Sequence, residues 1–337
     1  METTRRQRLD EASGLPAAAP DGTAPAAAPD GTAPAAPLEA LDTPHAVPAP
    51  GQPLPAAPLS SVAIPTLPLD FVRPADLVAD AITASEVKAA LPVKDLLIRG
   101  FLSGAFLGIA TSLAYTVRAQ PLAPIAAAVI FPVGFVLLAL LGLELATGNF
   151  AILPMGLAAR RVSIGGMLRN WTWVYVGNLA GCLFYALFFY WALTSFGHTN
   201  GGTVATQFKT AAVAKTVAYQ KLGATGWGLA VVKAVLANWM VTVAALMAFV
   251  ARSTIGKMAA MWLPIMIFFA LGFEHSIVNM VVIPVGMMLK APVSMGQWWL
   301  WNQIPVTIGN IVGGAVLTGL ALYATFGEPA KQPAKAG

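Results

Sequence analysis

Polar and apolar positions divide this chain into two regimes. From about residue 96 to residue 326, apolar runs of roughly 20 residues alternate with short polar interruptions, the length a helix needs to cross a bilayer. The runs predict six spans, at 96–116, 122–144, 171–196, 227–250, 258–275 and 298–326. Two further apolar pieces, 150–158 and 277–289, follow the second and fifth spans and are too short to cross alone. Ahead of the spans, Leu77, Val78, Ala81 and Ile82 recur at helical spacing behind Pro74 and Asp76. Residues 71–95 therefore predict an amphipathic helix lying at the membrane interface.

Outside this region the pattern disappears. Residues 1–70 are Pro/Ala-rich and carry a near-repeat, DGTAPAAAP followed by DGTAPAAP. Such a segment buries too little apolar surface to order itself, so a disordered tail is expected. A short C-terminal tail, 327–337, closes the chain.

Composition narrows the class. The 337 residues are 57% hydrophobic and only 10% charged, against roughly 25% charged in soluble domains. An all-α membrane protein fits, whereas a β-barrel needs short alternating segments. The net charge of +5 comes from basic residues flanking spans, with no basic run interleaved with aromatics, so no nucleic-acid partner is expected. Short loops with Arg160, Arg161 and Arg169, and with Arg252 and Lys257, put both termini on the cytoplasmic side. A bacterial inner membrane is the expected location. His45 and His198 stand alone, so no metal or other cofactor is expected. The single cysteine, Cys182, sits in an apolar run and reads as a packing residue.

The central observation is an internal repeat. LGLELATGNFAILPMG (141–156) aligns with LGFEHSIVNMVVIPVG (271–286), sharing Leu, Gly, Glu, Asn, Pro and Gly at equal positions. VYVGNLAG (174–181) echoes VTIGNIVG (306–313) downstream. Each unit holds three spans, so the two units run in opposite directions, an inverted repeat with its site near the midplane. Between Asp95 and Glu328 the only acids are Glu144 and Glu274, at equivalent points. A charge at bilayer depth costs about 2.5 to 17 kcal/mol. These two are expected to support apolar helices that break just after them, accepting hydrogen bonds from freed N–H groups or pairing with a neighbour. Twelve Lys and Arg accompany them from Arg99 to Lys290, an excess that mildly favours anions.

GFEHSIVNM, NWMVTVA, LRNWTWVYVGNLAG and IPVTIGNIVGG together resemble the formate/nitrite transporter family over about residues 71–326. The resemblance implies an aquaporin-like six-helix fold with broken second and fifth helices, assembled as a homopentamer with one pore per protomer. It implies passage of small monovalent anions of weak acids. It puts the central pore histidine at His275 and the interrupted loop at Leu145, Ala146, Thr147 and Gly148. It puts the constrictions at Phe131, Phe135 and Leu145 on one side and Phe268 on the other. Asn238 and Asn310 fall on pore-facing asparagines, and Lys221 on a vestibule lysine, with Lys215 as the alternative. Ala146 and Phe135 depart from the aromatic residue and the Leu common in relatives, so the width of the constriction and the choice of anion do not transfer by analogy.

These residues suggest a mechanism. A bare anion entering an apolar slit loses its hydration, which protonation to the neutral acid avoids. An unperturbed His has a pKa of about 6.5, so His275 suits proton transfer or hydrogen bonding to the substrate, and transport is expected to depend on pH. Formate or nitrite lead, with bicarbonate, lactate or hydrosulfide as alternatives. A neutral-solute channel lacks its two NPA signatures here, and an enzyme lacks a nucleophile–base–orienter set.

Overall fold

The computed structural model describes residues 70–327, and nearly all of them are helical. The proposed tail before Asp70 and the residues after Gly327 lie outside the described residues. In chain order the helices are α1 (Pro74–Ala90), α2 (Val93–Arg118), α3 (Ile125–Leu140), α4 (Ala146–Ala158), α5 (Ile164–Thr194), α6 (Gly202–Lys215), α7 (Val217–Lys221), α8 (Ala224–Met247), α9 (Thr254–Ala270), α10 (Ser276–Met288) and α11 (Met295–Phe326). By length and composition α2, α5, α8 and α11 are long and apolar enough to cross a membrane. α11 contains two π-helical stretches, Trp299–Gln303 and Ala315–Leu320. Within 71–95 the helix α1 covers only Pro74–Ala90; Leu91 and Pro92 break it from α2, which already takes Val93 onward. The polar stretch around Lys209, between the apolar runs 171–196 and 227–250, forms the helix α6.

The centre of the molecule is made of the two short helices. Every residue of α4 from Ala146 to Gly156, and of α10 from Ser276 to Gly286, is buried. A helix apolar on all sides belongs in such a place. The remaining helices pack around this pair. α2 lies on α5 through glycines at close approach: a Cβ on Gly177 would sit 2.7 Å from the Leu97 carbonyl. Gly309 and Gly313 bring α11 equally close to the Val231 and Val235 carbonyls of α8.

The sequence predicts breaks just after the glutamates; the structure puts them earlier. α3 and α9 end at Leu140 and Ala270, and Gly142 and Gly272 follow with φ of 64° and 65°. Leu143 N–H bonds the Leu138 carbonyl and Gly142 N–H the Ala139 carbonyl, at 2.9 and 3.1 Å. Phe273 and Gly272 repeat the pattern on Phe268 and Phe269, both at 3.2 Å. This is the Schellman stop, which favours glycine because a Cβ strains the left-handed conformation. The chain then runs extended through the glutamate and restarts as α4 or α10. Pro154 and Pro284 sit inside those restarted helices.

Freed backbone in an apolar interior needs internal partners, and two asparagines supply them. Asn178 Nδ2 donates to the Gly100 and Glu144 carbonyls at 2.8 and 2.9 Å, and its Oδ1 accepts from Ala146 N–H at 3.0 Å. Asn310 does the same to the Ala234 and Glu274 carbonyls and to Ser276 N–H, at 2.8, 3.0 and 2.9 Å. Each amide thus splints an extended link to the helix beside it.

Replacing Asn310 by Leu keeps the bulk and removes all three bonds. At about 1–3 kcal/mol per unsatisfied buried group, Asn310→Leu and Asn178→Leu are each expected to lower the melting temperature of the purified protein in detergent by well over 5 °C, followed by tryptophan fluorescence. An unchanged melt refutes the splint.

Candidate functional site

Two cavities lie on either side of a closed slit. The first, of about 300 Å³, is lined by Tyr115, Arg118, Lys215, Tyr219, Lys233, Phe268, Phe269, Glu274 and His275, among others. The second, of about 270 Å³, is lined by Lys88, Phe135, Leu145, Asn149 and Lys257, among others. Between them Leu107, Phe131, Phe135, Leu145, Val241, Ile265, Phe268, His275 and Val278 close on one another and leave no room for a water molecule. Phe268 and His275 line the first cavity and the slit, while Phe135 and Leu145 line the second cavity and the slit. All four constriction residues named from sequence therefore meet in one place. Phe131 and Phe268 meet edge-on, with ring centroids 5.7 Å apart at 86°.

Each glutamate is the centre of a matching cluster. Lys88 Nζ reaches Glu144 Oε1 at 2.7 Å, and Lys215 Nζ reaches Glu274 Oε2 at 2.8 Å. Asn149 Nδ2 donates to Glu144 at 2.7 Å and to Asn170 Oδ1 at 2.9 Å. Asn279 Nδ2 donates to Glu274 at 2.8 Å and to Asn302 Oδ1 at 2.9 Å. Asn170 and Asn302 each close the ring by donating to the backbone carbonyl of that cluster's lysine, both at 2.9 Å. Glu274 has an additional donor, Tyr219 Oη at 2.8 Å. Both carboxylates are almost wholly buried, so the pairing offsets a desolvation of several kcal/mol per ion. They accept from side chains, while Asn178 and Asn310 serve the broken backbone.

His275 stands where the other half has Leu145, at the position just before the restarted helix. Its Nδ1 accepts from Val278 N–H at 3.2 Å, capping α10. Leu145 has no atom that can do this for α4. With Nδ1 an acceptor, the proton of the neutral ring belongs on Nε2, which lies 2.9 Å from Thr147 Oγ1. Nε2–H then donates to Thr147, and the threonine's own O–H is left to another acceptor. The Phe268 ring lies 5.6 Å from the imidazole at 28°.

The other residues named from sequence are distributed differently. Asn238 Nδ2 donates to the Thr147 and Asn310 carbonyls at 3.1 and 2.6 Å, behind the slit. Its Oδ1 is buried without a partner among the described residues. Asn310 is committed to backbone and lines neither cavity nor slit. Lys221 ends α7, is exposed and lines neither cavity, whereas Lys215 lines the first. Sequence reasoning passed over Leu107, Val241, Ile265 and Val278, because apolar spans carry no mark separating slit from core. It also passed over Lys88, Asn170 and Asn302. Asn170 and Asn302 share the 132-residue offset of the VYVGNLAG–VTIGNIVG echo, so the signal was present. Among the described residues no group of three His, Cys, Asp or Glu side chains gathers to hold a metal.

With this geometry described, the comparisons are specific. Residues 75–324 match the family described as formate/nitrite transporter. A "probable formate transporter" of Methanothermobacter thermautotrophicus is 35% identical over 268 residues, 76% of this chain and 97% of that protein. A solved "FNT family ion channel" superimposes with a TM-score of 0.64 at 26% identity, covering 74% of this chain and 98% of the other. A "pentameric formate channel with formate bound" shares the fold, with a TM-score of 0.59 at 24% identity over 70% of this chain and 98% of that one. These relatives are transporters and channels, not enzymes. The continuous match over almost all described residues makes this chain a member of the formate/nitrite transporter family.

Proposed function

We propose that the protein passes small monovalent anions of weak acids, formate foremost, across a bilayer. The path runs from the Arg118 vestibule past His275 and Thr147 into the Lys88 vestibule. The observation that carries this reading is the pair of cation-lined cavities in series, separated by an apolar slit with a histidine at its edge. The printed names of the relatives support formate as the anion. Nitrite, bicarbonate, lactate and hydrosulfide share its charge and small size.

The architecture in this reading is six spans. They are α2, α3 with α4, α5, α8, α9 with α10, and α11, arranged as two inverted three-span units, with α1 and α6 at the interface. Matching Glu–Lys–Asn clusters and matching asparagine splints support it. The pentameric neighbour supports a homopentamer. Arg160, Arg161, Arg169, Arg252 and Lys257 would face the cytoplasm with both termini.

The slit decides the chemistry. An anion cannot carry water through it, and a bare carboxylate in an apolar medium is strongly disfavoured. In this mechanism His275 first takes a proton from the vestibule to become imidazolium. The arriving anion takes that proton and returns the ring to neutral imidazole, then crosses as the neutral acid and releases the proton to water in the far vestibule. A second proton can join the imidazole only at Nδ1, and only after the bond to Val278 N–H breaks. Proton delivery is thereby tied to a movement of the ring.

Two variants test the mechanism in proteoliposomes loaded for formate uptake. Uptake by the wild-type protein is expected to rise as external pH falls, and His275→Asn is expected to flatten that dependence while leaving the protein folded. A His275→Asn profile as steep as wild type removes the histidine from the proton step. Phe268→Ala opens the slit to water, so formate flux is expected to rise several-fold and to lose most of its pH dependence. Flux that stays at wild-type level with its pH dependence intact would mean that the rate and the proton step are set elsewhere.

A further inference from the structure

The two vestibules are not electrically alike. On the His275 side Arg118, Lys215 and Lys233 face the cavity with one carboxylate, Glu274, which Lys215 already holds. Among the described residues neither Arg118 nor Lys233 meets a carboxylate within ion-pair distance. On the other side Lys88 is spent on Glu144 and Lys257 remains. The first vestibule therefore keeps two uncommitted cations, and one of them is a guanidinium.

Arg118 is the last residue of α2, and aromatic faces hold its side chain. Its guanidinium carbon lies 5.5 Å from the Tyr115 ring centre and 5.2 Å from that of Phe269. Phe269 stacks on Phe131 at 4.1 Å and 16°, and Phe131 is one side of the slit. Cation–π contact takes up the face of a guanidinium and leaves its edge N–H groups free. Among the described residues no protein oxygen accepts a hydrogen bond from Arg118. A planar fork of donors is thus held in the cavity, one ring away from the seal.

We propose that Arg118 is a specificity-determining residue. Braced by Tyr115 and Phe269, its fork binds the two oxygens of a planar monovalent carboxylate and sets it down at the mouth of the slit. Two parallel N–H···O bonds give a carboxylate a geometric match that an ammonium ion, a point charge, does not offer. Lys233 adds charge to the vestibule without that geometry. This rests on the anion pathway proposed above, and deepens it by naming the group that recognises the anion before it meets His275.

The test is the concentration dependence of formate uptake in proteoliposomes at fixed pH and ionic strength. Arg118→Lys keeps the charge and loses the fork. It is expected to raise the half-saturating formate concentration about tenfold with little change in maximal rate, a loss typical of replacing a bidentate charged contact. Phe269→Leu keeps the arginine and removes the nearer of its two aromatic braces, and is expected to shift half-saturation in the same direction by about threefold. Lys233→Met removes charge alone, and is expected to weaken binding mainly at low salt. If Arg118→Lys saturates like wild type, the guanidinium acts only as charge and the proposal is wrong. A fall in maximal rate at unchanged half-saturation overturns it as well. Should Arg118→Lys fail to fold, judged by its melt in detergent, Phe269→Leu decides: unchanged half-saturation there sinks the braced fork. Absence of formate uptake in wild type sinks the transport reading itself, an outcome distinct from all of these.

Discussion

An apolar interior offers no hydrogen-bond partner to a backbone that leaves its helix. The rest of the structure depends on how that constraint is met at two points. Gly142 and Gly272 stop α3 and α9, and the chain crosses the middle of the molecule extended. Each crossing frees carbonyl and N–H groups that cost several kcal/mol apiece if left unpaired. Asn178 and Asn310 answer two such groups each and tie them to a carbonyl of a third helix, and both amides come from long neighbouring helices rather than from the loops they support. The position of the slit follows, because α4 and α10 begin where the splints hold them.

The buried glutamates fit the same logic, with charge in place of backbone. An unpaired carboxylate beside an anion path would repel the substrate as well as pay for its own desolvation. Lys88 and Lys215 cancel the charge, and the Asn149–Asn170 and Asn279–Asn302 pairs fix the geometry. Glu274 is the more fully bound of the two, with Lys215, Tyr219, Asn279 and Asn302 all donating to it. That leaves it no free oxygen for the neighbouring His275, so the two adjacent polar residues face different partners. The same accounting leaves Arg118 and Lys233 as the cations of that cavity without a carboxylate partner among the described residues.

Much of this was legible in the sequence, and what was not has physical reasons. Long apolar runs marked α2, α5, α8 and α11 to within several residues, since hydropathy is the strongest signal a membrane chain carries. The Glu144/Glu274 pair stood out because acids are rare at that depth. The break points were misplaced because the glutamate attracts attention, while the glycine two residues earlier sets the backbone. The apolar pattern predicts no element at α6, because its polar residues hide the helical spacing of Ala205, Phe208 and Ala212, which are buried. Lys221 came from the family resemblance, with Lys215 as the alternative; only the folded chain distinguishes a lysine against Glu274 from one at the surface. Asn310 was expected to face the pore from the family resemblance, and its side chain makes three bonds, all to backbone.

The two halves are built alike until the residue before each short helix, and there the chemistry enters. Leu145 leaves α4 without a side-chain cap, and His275 caps α10 through Nδ1. The cap fixes the tautomer, since a nitrogen that accepts from Val278 cannot also carry a proton. It therefore turns Nε2–H toward Thr147, whose carbonyl is held by Asn238, whose amide also donates to the Asn310 carbonyl. The ring is thus tied at one end to α10 and at the other to α4, the two elements that the splints position. A proton added to Nδ1 must detach the ring from the first turn of α10. The ring packs against Phe268, so in the proposed mechanism that detachment would reach the slit. In the mechanism proposed above, where an unmet backbone group is costly, the cap on this broken helix would double as a latch.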